Sequence, residues 1–278
     1  VMIQPPVYHP FAWVTTRNER TLVINPLKWE NGMYRMDLDA FREQIKGCKL
    51  FILCNPHNPG GVVWTEAELR AIADICYDEK VLVFSDEIHA DLTLPPHTHR
   101  PFATVSEKAR MNSVTFMSPS KAFNMPGLSA SHALIFNEDL RKRFRIYMDA
   151  GELDMGHVFA FLSVEAAYSH GTEWLDQCLA YIQGNIDFVD EFLKKHAPKI
   201  KAIRPEASYL VWLDCRELEL SQKDLNEFFV DKAHLALNDG EMFGKEGIGF
   251  MRLNVASPRC IIEKAMKQLA DAYQLYIK

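Results

Sequence analysis

The sequence predicts an α/β fold: a mostly parallel sheet with helices on both faces, followed by a smaller α+β domain at the C-terminus. Three observations carry this expectation. Apolar runs of strand length recur through the first half of the chain. They are continuous rather than alternating, as in strands buried on both faces. Amphipathic helical stretches separate them, which is the pattern of a covered parallel sheet. At roughly 150 residues per domain, the 278 residues are nearly two domains' worth of chain. That is enough to bury a large core without staples.

The predicted strands of the first half cover residues 1–4, 21–25, 50–54, 81–85, 113–117 and 133–136. The clearest helix is 65–79. It opens with Thr65-Glu66-Ala67-Glu68, a capping box in which Thr65 and Glu68 satisfy each other's orphan amides. Leu69, Ile72, Ala73 and Cys76 then share one face at helical spacing. Residues 156–170 and 171–196 read as long helices, the second ending before Pro198. Shorter strands follow at 209–213, 234–237 and 249–253, and Ser257-Pro258 reads as the cap of a final helix. These patterns divide the chain into a large domain over 1–175 and a small one over 176–278.

Composition excludes several functions. The chain has 31 Lys and Arg against 37 Asp and Glu, so its net charge of −6 opposes a nucleic-acid footprint. It is 48% hydrophobic and 24% charged, which excludes disorder. No apolar run approaches the roughly 20 residues of a membrane-spanning helix. The six cysteines form no C-x-x-C pair and have no His partners at metal spacing. They read as thiols of a reducing, cytoplasmic compartment, with no metal site. The chain opens on Val1-Met2-Ile3-Gln4, with no basic leader and in what reads as mid-strand. Either processing or truncation of a longer protein accounts for that.

In a doubly wound sheet, ligands sit beyond the carboxyl ends of the strands. The run Asn55-Pro56-His57-Asn58-Pro59-Gly60-Gly61 follows one strand; it is a Pro/Gly turn that also projects the Asn58 amide. Asp86-Glu87-Ile88-His89 follows the next, either as an acidic strand exit or as a partly desolvated carboxylate that favours a cation. Ser118-Pro119-Ser120-Lys121-Ala122-Phe123-Asn124 follows the third. Most lysines are surface lysines. One placed directly after a buried strand loses hydration and becomes a usable amine nucleophile. Arg252 lies inside the apolar strand Phe250-Met251-Arg252-Leu253, where it needs a carboxylate, from the protein or from a substrate.

The order and spacing of these four are specific. Asn58 and Asp86 lie 28 residues apart, Asp86 and Lys121 35, and Lys121 and Arg252 131. This series resembles the fold-type I pyridoxal-phosphate enzymes of the class I/II aminotransferase family, along essentially the whole chain. The resemblance implies that Lys121 carries the cofactor covalently and then moves the proton at the substrate's Cα. It implies that Asp86 pairs with the protonated pyridine nitrogen and that Asn58 bonds the ring's phenolic oxygen. Tyr8 would stack on the ring, Ser118 and Ser120 would hold the phosphate, and Arg252 the substrate α-carboxylate. The cofactor would do the hard chemistry while the protein orients and tunes it.

Two departures from the family pattern select a branch. The Arg that family transaminases carry eight residues after the lysine is Ser129 here, and the usual Tyr three residues after the aspartate is His89. Three motifs then resemble the cystathionine β-lyase branch of bacterial C–S lyases. They are Asp86-Glu87-Ile88-His89 with Ser118-x-Ser120-Lys121-x-Phe123-Asn124, then Tyr209-Leu210-Val211-Trp212-Leu213-Asp214, and the ending Gly247-x-Gly249-Phe250-x-Arg252-Leu253-Asn254. The implied reaction is α,β-elimination of a cysteine thioether to thiol, pyruvate and ammonia. An aminotransferase is the alternative, and a pyridoxal-phosphate fold with a regulatory interaction role is a second. The resemblance further implies a homodimer with a shared active site, and a Gly-rich phosphate loop upstream of Tyr8. It therefore predicts that this chain alone binds the cofactor poorly.

Overall fold

A computed structural model describes residues 1–276. Strands β1 (Met2–Ile3) and β2 (Val23–Ile24) are followed by a hairpin, β3 (Lys28–Glu30) and β4 (Met33–Arg35). Next come β5 (Leu50–Cys54), β6 (Leu82–Asp86), β7 (Ser113–Met117) and β8 (His132–Leu134). Apart from the hairpin, they form one six-stranded sheet in the order β2-β1-β5-β6-β7-β8. Every pairing from β2 to β7 is parallel, and β8 alone is antiparallel. The connection from β7 to β8 holds one helical turn, Pro119–Ala122, and a 3₁₀ turn, Pro126–Leu128. Neither can carry the chain back across the sheet, so it reverses.

The helix Glu66–Asp78 realises the capping box. Thr65 Oγ1 accepts from the Glu68 amide at 3.2 Å, and Glu68 Oε2 accepts from the Thr65 amide at 2.8 Å. Its inner face buries Leu69, Ile72, Ala73, Ile75 and Cys76 in a core shared with Phe41, Phe51 and Val83. Thr65→Ala is expected to cost about 1 kcal/mol, as for other lost caps, read as a lower urea midpoint; an unchanged midpoint would contradict it. On the opposite sheet face, Ile3, Val7, Ile52 and Cys54 form a smaller cluster, covered by Phe11 and Ala12 of the helix Pro10–Arg17.

The second sheet comprises β9 (Lys201–Ile203), β10 (Leu210–Asp214), β11 (Asn238–Asp239) and β12 (Phe250–Asn254), ordered β11-β12-β10-β9. All its pairings are antiparallel. Strand alternation decides what each face meets. Val211, Leu213, Met251 and Leu253 pack on the helices Thr172–His196 and Arg259–Tyr276, through Ile186, Val189 and Met266. Trp212 and Phe250 point the other way, stack at 5.2 Å and join the core of the first sheet. Arg252 pairs with Trp212 in register and so shares that face. Strand period thus turns Arg252 toward the first sheet.

Some expectations shift. The strand expected at 81–85 starts and ends one residue later, and the one at 133–136 becomes β8. No strand forms at 234–237, because His234 sits at φ 55 and the Leu237 amide turns onto the Leu235 carbonyl. Extension resumes only at β11. Ser257 does not cap the last helix: the Ile261 and Ile262 amides bond the Pro258 carbonyl, one residue later. Gly171 separates the helices Val158–His170 and Thr172–His196. A Cβ there would run into the Phe123 ring, so glycine eases the approach of the helix junction to the segment after Lys121.

Candidate active site

The carboxyl ends of β5, β6 and β7 converge with β12 on one cavity of about 200 Å³. Tyr8, Asn58, Asp86, His89, Lys121 and Arg252 all line it. Larger hollows lie beside Trp13, about 490 Å³, and beside Arg110, about 560 Å³, but neither gathers such a set of groups. Among the described residues, no cluster of His, Cys, Asp and Glu could hold a metal ion.

Asp86 is the last residue of β6, and its Oδ1 accepts from the Ile88 amide at 3.2 Å. Burial pushes its carboxyl up to about 6; Glu87 adds to the rise, while the Ile88 amide and Lys121 oppose it. His89 is buried, and its Nδ1 has no partner among the described residues. Burial, then the charges of Lys121 and Arg252, lower it to about 3, so the ring is neutral at pH 7. Lys121 follows β7 in the single turn Pro119–Ala122, whose N-cap is Ser118.

Arg252 Nη1 donates to Asn58 Oδ1 at 2.9 Å and Nη2 to Asn238 Oδ1 at 2.7 Å. Its guanidinium lies 4.7 Å from the Phe243 ring centroid, and its buried Nε has no partner. No carboxylate among the described residues pairs with it. A half-buried cation held only by neutral amides suits an external anion. The contact also commits the oxygen of Asn58, leaving its NH₂ as the donor for a ligand. Tyr8 lines the same cavity, with its ring edge-on to Phe11 at 5.6 Å.

Ser118 and Ser120 are placed differently. Both hydroxyls donate to the Ala130 carbonyl, at 2.5 and 3.2 Å, and Ser118 Oγ accepts from the Ser120 amide at 3.1 Å. Ser120 lines an adjoining cavity of about 300 Å³, reached past Lys121, rather than the one shared by the other six. Tyr209 and Asn254 line both cavities, and sequence reasoning gave neither a role. Their signal was register: Asn254 pairs with Leu210, which brings Tyr209 beside the strand of Arg252.

Without a cofactor, these burials make stability depend on pH. His57, buried in the loop before Asn58, is lowered to about 4, and His89 to about 3. The unfolded chain protonates both near 6.5 while the fold does not, so each loses stability as pH falls toward 4. Asp86 acts in the opposite sense. The fold binds its proton at about 6 and the unfolded chain near 3.8, so it adds stability as pH falls through that window. Two groups outweigh one. The urea midpoint of the cofactor-free chain is expected to be lower at pH 5 than at pH 7, with Asp86→Asn widening the gap; a rise on acidification would contradict this.

The family model described as Aminotransferase class I and II matches residues 1–269. The chain belongs to this family. It is 38% identical over 274 residues to the cystathionine beta-lyase PatB of Bacillus subtilis (strain 168), covering 98% of this chain and 71% of PatB. Cystalysin from Treponema denticola, whose crystal structure contains pyridoxal 5'-phosphate, superimposes with a TM-score of 0.95 at 34% identity, covering 100% of this chain and 71% of cystalysin. The pyridoxal-phosphate-bound C–S lyase of Staphylococcus hominis matches with a TM-score of 0.89 at 33% identity, covering 98% and 70%. The chain therefore spans about seven-tenths of the length of these relatives.

Proposed function

We propose that the protein is a pyridoxal-phosphate-dependent C–S β-lyase that cleaves cystathionine or related cysteine thioethers by α,β-elimination. The observation that carries this reading is the convergence of Lys121, Asp86 and Arg252 on one cavity: an amine, a buried carboxyl group and a guanidinium with no anionic partner among the described residues. The set fits pyridoxal phosphate. A buried carboxyl wants a cation, which a protonated ring nitrogen supplies, and a free amine can hold an aldehyde. When bound, that cofactor supplies an electron sink for the charge left at the substrate's Cα.

The chain's own residues supply the rest. Arg252 binds the substrate α-carboxylate and fixes which bond at Cα faces the Lys121 amine. Lys121 takes the Cα proton, and the Cβ–S bond breaks with its electron pair leaving on sulfur. The 2-aminoacrylate so released hydrolyses to pyruvate and ammonia. Asp86 would hold the ring nitrogen's proton, Asn58 would donate to the phenolic oxygen and Tyr8 would cover the ring face. His89, neutral at pH 7, offers a hydrogen bond without adding charge. Ser118 and Ser120 would hold the phosphate if their hydroxyls turned from Ala130. Relatedness to cystathionine β-lyases, together with Ser129 in place of the transaminase Arg, favours elimination over amino transfer. Turnover that needs no added 2-oxo acid supports the lyase, and strict dependence on one would overturn it.

The same reading extends to assembly and place. Helix Val158–His170 buries only Ala160 and exposes Val158, Phe159, Phe161 and Leu162, each more than half accessible. Such an apolar face wants a cover, and a second copy in a homodimer supplies one. Sedimentation equilibrium should return the dimer mass, and a monomer at micromolar concentration would contradict it. Free thiols at all six cysteines support a cytoplasmic location. No helix among the described residues is long and apolar enough to cross a membrane. The core that one face of the second sheet makes with the helices Thr172–His196 and Arg259–Tyr276 supports a division near residue 175, while Trp212 and Phe250 of the other face join the first core.

A further inference from the structure

Glu87 directly follows Asp86, is fully buried, and has no part in the chemistry above. Alternation at the end of β6 turns Asp86 into the cavity and sends Ser85 and Glu87 to the opposite face. There the Glu87 carboxylate accepts three hydrogen bonds. Ser85 Oγ at 2.7 Å and the Phe102 amide at 2.9 Å reach Oε1, and His99 Nε2 at 2.7 Å reaches Oε2. The His99 side chain is itself only 9% exposed.

The peptide joining Asp86 to Glu87 is held on both sides. Its carbonyl accepts from the Asn55 amide at 2.9 Å, and its N–H donates to the Phe116 carbonyl of β7 at 2.8 Å. Asn55 opens the loop that carries Asn58, and its Nδ2 donates to the Arg100 carbonyl at 3.1 Å. Segment 99–102 is thus fastened to two strand ends that line the cavity. A buried carboxylate is a costly fastener, since an apolar side chain would fill the space without losing hydration. What it adds is directional bonding and a negative charge one residue from Asp86.

We propose that the Glu87–His99 pair is a positioning device for Asp86: it fixes the rotation of the β6 end and sets a second anion beside the carboxylate that faces the cofactor ring nitrogen. This rests on the reading of Asp86 as the partner of that nitrogen. The other ionisable groups that line the cavity with Asp86 are Tyr8, the Cys54 thiol, His89, Lys121, Tyr209 and Arg252. None of them lies on the Glu87 side of the strand. Fixed geometry matters because small displacements of an oriented group cost rate even when binding survives.

The test uses the cofactor-loaded protein with E87Q, H99Q and D86N. E87Q is expected to lower kcat roughly 10- to 100-fold, with KM changed no more than about twofold. The pH midpoint of the cofactor's visible absorbance should move down, because removing an anion disfavours protonated groups nearby. H99Q removes no anion, so it should lower kcat by less than E87Q without moving the midpoint down. Parental kcat and midpoint in E87Q overturn the proposal, even if the melting temperature falls, since that outcome marks a purely structural role. Should E87Q not fold, H99Q decides on kcat, and a parental kcat there overturns the proposal equally. D86N separates the two failures: parental kcat and spectrum in D86N defeat the reading of Asp86 itself, whereas a damaged D86N beside a parental E87Q defeats only the pairing.

Discussion

Lys121→Ala is expected to lower pyruvate release from cystathionine by at least roughly 10²- to 10⁴-fold, the range lost when a positioned proton acceptor is removed. Lys121 is the amine in the cavity, placed by the turn that follows β7. Without it, the Cα proton has no positioned acceptor and the cofactor no covalent anchor. The Arg252 contacts remain, so KM should change far less than kcat. The melting temperature of the cofactor-free variant should stay near that of the parent, because the side chain makes no hydrogen bond or ion pair among the described residues. Retention of even a tenth of the parental rate would remove Lys121 from the chemistry.

Arg252→Ala is expected to act on binding. Truncating one partner of a buried, hydrogen-bonded charge pair costs about 2–5 kcal/mol, so kcat/KM should fall roughly 30- to several-thousand-fold. Most of the loss should appear in KM for amino-acid substrates. Arg252→Lys keeps the charge but not the fork that reaches Asn58 and Asn238 while holding a carboxylate, so it should recover only part of the affinity. An unchanged KM in Arg252→Ala would mean that the guanidinium serves the fold alone.

Much of the candidate site is legible in the sequence, because its residues stand where a parallel sheet must present them. Asn58, Asp86 and Lys121 each follow a continuous apolar run, and strand ends are where such sheets bind. Arg252 was legible for another reason: a guanidinium inside an apolar strand requires an anion, and the fold offers it only amides. The hydroxyls of Ser118 and Ser120 were harder. Their rotation onto the Ala130 carbonyl depends on a turn that closes ten to twelve residues later, which no local pattern encodes. Glu87 reads in sequence as one more acid at a strand exit. Only the fold brings Phe102 and His99 beneath it.

The fold shows the same division. Helix Glu66–Asp78 announced itself through its capping box, and β5 and β7 through their unbroken apolar runs. The hairpin β3–β4 went unread although Asn31-Gly32 marks it. Both residues take positive φ, 51° and 83°, as a two-residue hairpin turn of the favoured hand requires. Helix Glu138–Ala150 also went unread, although Leu140, Phe144 and Met148 recur at four-residue spacing along its half-buried side, because charged residues outnumber them in the segment. The segment 234–237 has strand-like residues, but one left-handed His234 stops it.

The most direct test of the central claim is the product balance when cofactor-loaded protein is given cystathionine and no 2-oxo acid. Elimination at the Lys121–Asp86–Arg252 cavity predicts homocysteine, pyruvate and ammonia in equal amounts over many turnovers. A single turnover that stops with the cofactor in its amine form, and resumes only when a 2-oxo acid is added, would contradict it and make the protein an aminotransferase.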